Sequence, residues 1–179
     1  NGITNNLSFN PAVGTNSYTV TGTDANGCIN TDMIEVIVNA LALFSAGPYQ
    51  TICDGFSVSH NGSGANTYTW NNGITNNLSF NPAVGTSSYT VTGTDANGCV
   101  NTDPVDVTVY ALPNVSAGPD QAICDGFSVS LNASGASTYA WNNGITNNLS
   151  FNPTVGTNSY TVTGTDANGC VNTDQVDVV

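Results

Sequence analysis

Apolar and polar residues alternate in short runs with a period of two, and nowhere with the 3.6-residue period of a helix. The clearest run is Tyr89-Thr90-Val91-Thr92-Gly93-Thr94. Asn97-Gly98 follows it as a strong hairpin signal, and the next strand carries Val105, Val107 and Val109. Upstream, Phe44–Pro48 reads as a short edge segment interrupted by Gly-Pro, which Gln50–Cys53 continues, and Asp54-Gly55 as a turn. Phe56, Val58 and His60 alternate with Ser57 and Ser59, predicting a half-buried strand. Asn61-Gly62-Ser63-Gly64 turns the chain, Tyr68 and Trp70 alternate on the next strand, and Asn71-Asn72-Gly73 turns it again. Leu78 and Phe80 predict one more short strand, closed by Asn81-Pro82. About seven short strands between frequent turns predict an all-β immunoglobulin-like sandwich. Trp70 falls where such sandwiches bury a strand-C tryptophan, and Tyr89 where a tyrosine corner would lie.

The whole pattern then recurs. Trp70–Val107 returns at Trp141–Val178, and Asn1, Asn72 and Asn143 are equivalent, a period of 71 residues. Between Phe44–Thr108 and Val115–Val179 only 11 of 65 positions differ. So little drift over such a period signals an array of small domains. The expected division is 1–42 as the C-terminal part of a first repeat, 43–113 as a second and 114–179 as a third, with Ala111-Leu112-Pro113 as a short linker that stacks neighbours end to end. The chain is expected to be a window on a longer protein. Its first copy lacks the strands that close a sandwich, so Leu7, Phe9 and Tyr18 would be exposed unless residues outside the window or another chain cover them.

Composition narrows the function. Lys and Arg total zero against 12 Asp and Glu. Phosphate neutralisation needs basic side chains, so nucleic acid is excluded as a partner, and so is polybasic contact with anionic lipid. No Schiff-base lysine, arginine clamp or lysine isopeptide cross-link can form. The uniform negative charge keeps an extended chain soluble, and the lack of basic residues also removes trypsin-type cleavage sites. No apolar run approaches the ~20 residues of a membrane span. One 71-residue unit buries little core, so staples are expected.

The segment SAGPDQAICDGFSVSLNASGASTYAW (116–141), followed by YTVTGTDANGC and VDV, resembles the PKD-like and Ig-like repeats of large Bacteroidota cell-surface adhesins, gliding-motility adhesins among them. The resemblance covers the window. It implies tandem β-sandwiches, an extracellular location, export by the type IX route, no catalysis, and stalks that hold an adhesive region away from the cell. The chain departs from the PKD strand-C signature: Asn71-Asn72-Gly73 stands where Phe-Gly-Asp-Gly would follow the tryptophan, so no role of that acidic turn carries over.

Candidate chemistry is sparse. His60 is the only histidine and is replaced by Leu131 in the third copy, which marks a structural position. No second histidine exists for a metal pair or a nucleophile–base arrangement. Asp24-Ala25-Asn26-Gly27, repeated at Asp95 and Asp166, resembles a fragment of a calcium loop but lacks the further oxygen ligands and distal Glu of a full site. It reads first as a hairpin turn. Calcium is the one cofactor candidate, with Asp54, Asp95, Asp125 and Asp166 as ligands shared across a domain junction. Thr90, Thr92 and Thr94 form a row that could bind glycan and is equally an ordinary strand face. Asn-X-Ser sequences such as Asn77-Leu78-Ser79 matter only in a host that glycosylates them.

Five cysteines remain: Cys53 and Cys124 in ICDG turns, Cys28, Cys99 and Cys170 in DANGC turns. Three arrangements stand open: pairing within a repeat (Cys53–Cys99, Cys124–Cys170), pairing between repeats (Cys53–Cys170), and free thiols. The A–B and F–G turns of an immunoglobulin-like sandwich lie at opposite poles, ~23 Å apart for a seven-residue strand, whereas a disulfide needs Cα atoms within ~7 Å. End-to-end stacking brings the A–B pole of one repeat to the F–G pole of the next. It then favours Cys53–Cys170 and leaves Cys28, Cys99 and Cys124 to partners outside the window. The leading expectation is a non-enzymatic stalk or filament segment whose partners are neighbouring repeats and like chains. The alternative is that the repeats themselves bind carbohydrate or a cell-surface protein.

Overall fold

The computed structural model describes residues 6–179. The chain forms all-β, immunoglobulin-like domains. The described residues carry eleven strands: β1 (Gly14–Thr23), β2 (Ile29–Val38), β3 (Gln50–Cys53), β4 (Thr67–Trp70), β5 (Gly85–Thr94), β6 (Val100–Tyr110), β7 (Val129–Ser130), β8 (Thr138–Trp141), β9 (Ser150–Phe151), β10 (Asn158–Thr165) and β11 (Val171–Val178). It divides into two compact units. The first comprises the described residues up to Pro48, with His60–Leu78 and Tyr89–Val105; the second comprises Tyr49–Ser59, Ser79–Ser88 and Asp106–Val179. The division runs across β5 and β6, inside the second sequence copy.

The second copy's main sheet has the order β3-β6-β5-β4. β3 runs parallel to β6, with Gln50 opposite Val107. β4 runs antiparallel to β5, with Trp70 opposite Val91. The third copy repeats this as β11-β10-β8, and Gln121 bridges Val178 in parallel. The facing layer is made of short pieces: β7 pairs with β9 in the third copy, and Val58 bridges Phe80 in the second.

The core follows the period-two reading. Tyr89, Val91, Val105, Val107 and Val109 are buried, as are Tyr160, Val162, Val176 and Val178. Trp141 lies with Val129 and Leu131 in the third copy's core. His60 is buried, stacked on Trp70 with ring centroids 5.3 Å apart. Two expected inward residues point out. Phe56 is 64 % exposed because Asp54-Gly55 turns the chain tightly there, its amide donating back to the Cys53 carbonyl. Leu78 is 61 % exposed because Asn77 is left-handed and twists the chain just before it, so Phe80 alone turns inward.

The WNNG turn has a local logic. Asn72 and Gly73 adopt positive φ, which both residue types tolerate. Asn71 accepts the Thr90 amide through its side chain, and the Trp70 indole donates to Asn76, which also accepts the Gly62 amide. All of these bonds recur at Asn142, Trp141 and Asn147.

Candidate functional site: the junction between copies

The DANGC turn presents its cysteine rigidly. In the third copy the Asp166 carboxylate accepts the amides of Asn168 and Cys170, each at 2.8 Å. The Asp166 amide in turn donates to the Cys170 carbonyl. Asp24 and Asp95 do the same for Cys28 and Cys99. The aspartate is therefore the brace of a tight turn, and one of its oxygens is committed to backbone amides.

The ICDG turn is placed by its sheet. β3 ends at Cys53, opposite Tyr110, and the Asp54 amide donates to the Tyr110 carbonyl. Within the second unit these two turns meet. Cys53 and Cys170 form a disulfide, with Cα atoms 5.5 Å apart and 117 residues between them in sequence. Cys170 is fully buried by it. Cys99 is half-buried, and Cys28 and Cys124 are exposed thiols.

The linkers are docked by the copy that follows them. In the second unit, Asn172 donates to the Pro113 carbonyl at 3.0 Å. Gly135 lies against the Asn114 carbonyl so closely that any Cβ there would collide with it. In the first unit, the equivalent Asn101 donates to the Ala42 carbonyl at 3.1 Å, and Gly64 lies against the Leu43 carbonyl. Both junctions are thus held by the same contacts. Sequence reasoning missed them because an asparagine in a strand gives no sign of where its amide reaches; only the recurrence of Asn101 as Asn172 hinted at a role.

Further ties join the segment that leads each of these two copies to its own sheet. The Ala46 amide donates to Asp103 and the Ala117 amide to Asp174, both at 2.8 Å. The amides of Ala117 and Gln175 hold the Asp174 carboxyl below the usual carboxylate range. Burial lowers the pKa of His60. Among the described residues no group of three or more His, Cys, Asp or Glu side chains is arranged to hold a metal ion, so the calcium candidates Asp54, Asp95, Asp125 and Asp166 are not gathered into such a cluster. No helix among the described residues is long and apolar enough to cross a membrane.

No protein-family model and no curated protein matches the chain. Among solved structures, the chain is similar to the EC1-3 region of mouse clustered PcdhgC3, at 14% identity and TM-score 0.34, covering 92% of this chain and 76% of that one. It is also similar to extracellular cadherin domains 1-4 of protocadherin gamma B7, at 13% identity and TM-score 0.31, covering 92% of this chain and 57% of that one. A third is SGBP-B of the Bacteroides ovatus mixed-linkage glucan utilization locus, in complex with a mixed-linkage heptasaccharide, at 17% identity and TM-score 0.22, covering 93% of this chain and 53% of that one. The chain spans little more than half the length of the latter two.

Proposed function

We propose that the chain is a stalk segment of an extracellular cell-surface adhesin, in which successive sandwiches act as spacers stapled to one another by disulfides. The observation that carries this reading is the Cys53–Cys170 bond, which ties the A–B turn of the second copy to the F–G turn of the third. A bond within one copy would stabilise that copy alone. A bond between copies resists bending and separation of neighbours, which is a mechanical property.

Three further features agree. Structural disulfides persist in oxidising surroundings outside the cell. The absence of Lys and Arg leaves an array without trypsin-type sites and with a soluble, self-repelling surface. The resemblance of its motifs to Bacteroidota adhesin repeats points to the same setting. The bond closes a loop across 117 residues, a constraint of up to ~5 kcal/mol in the chain-entropy description.

Pulling the chain by its ends tests the mechanical role. Under oxidising conditions the residues between Cys53 and Cys170 are shielded from force. Reduction should release them and add roughly 40 nm of contour length at ~3.5 Å per residue. Equal extension in both states would refute the spacer mechanism. Saturable binding of a glycan or a surface protein to the chain would instead support recognition by the repeats themselves.

A further inference from the structure

The two ends of the Cys53–Cys170 bond have unequal surroundings. Cys170 is 0% exposed, whereas Cys53 is only half-buried. Asp54, Gly55, Phe56 and Ser57, which follow Cys53, are all exposed. The two turns also hold their cysteines differently. The Cys170 amide donates to the Asp166 carboxylate at 2.8 Å, and its carbonyl accepts the Asp166 amide at 2.9 Å. Both backbone groups of Cys170 are therefore fixed within its turn. Cys53 is the last residue of β3, and its carbonyl accepts the Phe56 amide at 3.2 Å in the turn that leaves the sheet. One sulfur thus belongs to a buried, braced turn and the other to an open one.

Thiol–disulfide exchange is sensitive to this asymmetry. A thiolate attacks one sulfur of the bond and expels the other, so it enters at the sulfur it can reach. A cysteine without solvent contact offers no path to its sulfur; Cys53 does. The leaving sulfur is then that of Cys170. Burial, and Asp166 on the same turn, disfavour an anion there, and the chain has no Lys or Arg to offset them. Exchange is therefore one-sided, and the freed Cys170 is a slow nucleophile for reclosing the bond. An adduct on Cys53 persists. The entrance is also charged. Asp54 follows Cys53 directly and is exposed, in a chain with 12 acidic residues and no basic one. Such a field repels an anionic thiol and draws in a cationic one.

We propose that Cys53 is a thiolation site: a small neutral or cationic thiol opens the staple by bonding to the Cys53 sulfur, and Cys170 is the sulfur released. The thiol, as thiolate, forms a bond to Cys53 Sγ while the Cys53–Cys170 bond breaks. The electron pair of the broken bond goes to Cys170 Sγ, which takes up a proton from water. The incoming sulfur is oxidised and the Cys170 sulfur is reduced. The junction is then unlocked but still docked. The bond from Asn172 to the Pro113 carbonyl and the packing of Gly135 on the Asn114 carbonyl involve neither sulfur. The inference rests on the surroundings of the bond and does not depend on the stalk reading.

The test uses the full chain carrying Cys28→Ser, Cys99→Ser and Cys124→Ser, so that the staple alone supplies sulfur. Cysteamine is added for short times, the exchange is quenched in acid, and digestion with an Asp-directed protease locates the adduct. The mixed disulfide should stand on Cys53 rather than Cys170 by about tenfold or more. In urea that unfolds the chain, this preference should vanish. Rates are then compared for cysteamine, 2-mercaptoethanol and mercaptoacetate, each divided by that thiol's rate on a neutral small-molecule disulfide. They should fall in that order. Asp54→Asn, and separately high salt, should narrow the spread by about twofold or more. Adduct shared equally or found mainly on Cys170, adduct formed only in urea, or a preference that survives in urea would each overturn the proposal. So would rates blind to the charge of the thiol or a spread unchanged by Asp54→Asn.

Discussion

At the scale of single residues, the position held by His60 and Leu131 is the most informative. The two copies place a histidine and a leucine at the same buried site, and both are accommodated beside a tryptophan. Burial depresses the His60 pKa, so the folded state resists protonation that the unfolded state, titrating near ~6.5, accepts. The unfolded state then binds more protons below that pH, and stability falls as pH drops through about 6.5. His60→Leu should abolish this dependence: urea midpoints of the variant at pH 5 and pH 8 should coincide, while the parent's should be lower at pH 5. Asp174 runs in the other direction. Its pKa is depressed by accepting the Ala117 and Gln175 amides. It therefore contributes stability that is present above the unfolded carboxylate pKa near ~3.9 and lost as pH falls through the lower folded value. Asp174→Ala leaves the Ala117 amide without its acceptor and should lower the melting temperature at pH 7, with a smaller effect at pH 2.

At the scale of elements, the turns and close approaches decide the geometry. Asn147 accepts both the Trp141 indole and the Ala133 amide. Asn147→Ala strands two donors at the core's edge and should cost about 1–3 kcal/mol in a denaturant titration. Gly164→Ala forces a methyl between Val115 and Ala136 and should cost about 1–3 kcal/mol by overpacking, whereas Gly22→Ala in the same measurement should be neutral. Period-two alternation made β5, β6 and their copies legible, because a half-buried strand must alternate and Tyr89, Val91, Val105 and Val107 do. It misplaced Phe56 and Leu78, since alternation says nothing about a turn that reverses which side of the chain faces inward. Tyr68 was legible as a strand residue but not as a clamp. Its hydroxyl accepts the Ala65 amide and donates to the Ala65 carbonyl, closing the turn before β4, and no pattern signals a bond that local.

At the scale of the whole molecule, the sequence argument for the junction rested on poles. Cys53 and Cys170 could be matched because A–B and F–G turns lie at opposite ends of a sandwich and a short linker brings unlike ends together. The contacts that set the junction, Asn172 on Pro113 and Gly135 on Asn114, were not legible, because they depend on where a linker lies in space. The proposed spacer role rests on those contacts together with the disulfide. A net charge of −12 with no basic residue gives the copies no ion pairs with which to hold one another. Backbone docking and a covalent bond take that role, and both are insensitive to salt. The junction should therefore survive high ionic strength and yield to reductant. Non-reducing peptide mapping tests this account most directly, using an Asp-directed protease because trypsin has no site. The account expects a peptide pair joining Cys53 to Cys170 that disappears on reduction; a pair joining Cys53 to Cys99 would contradict it.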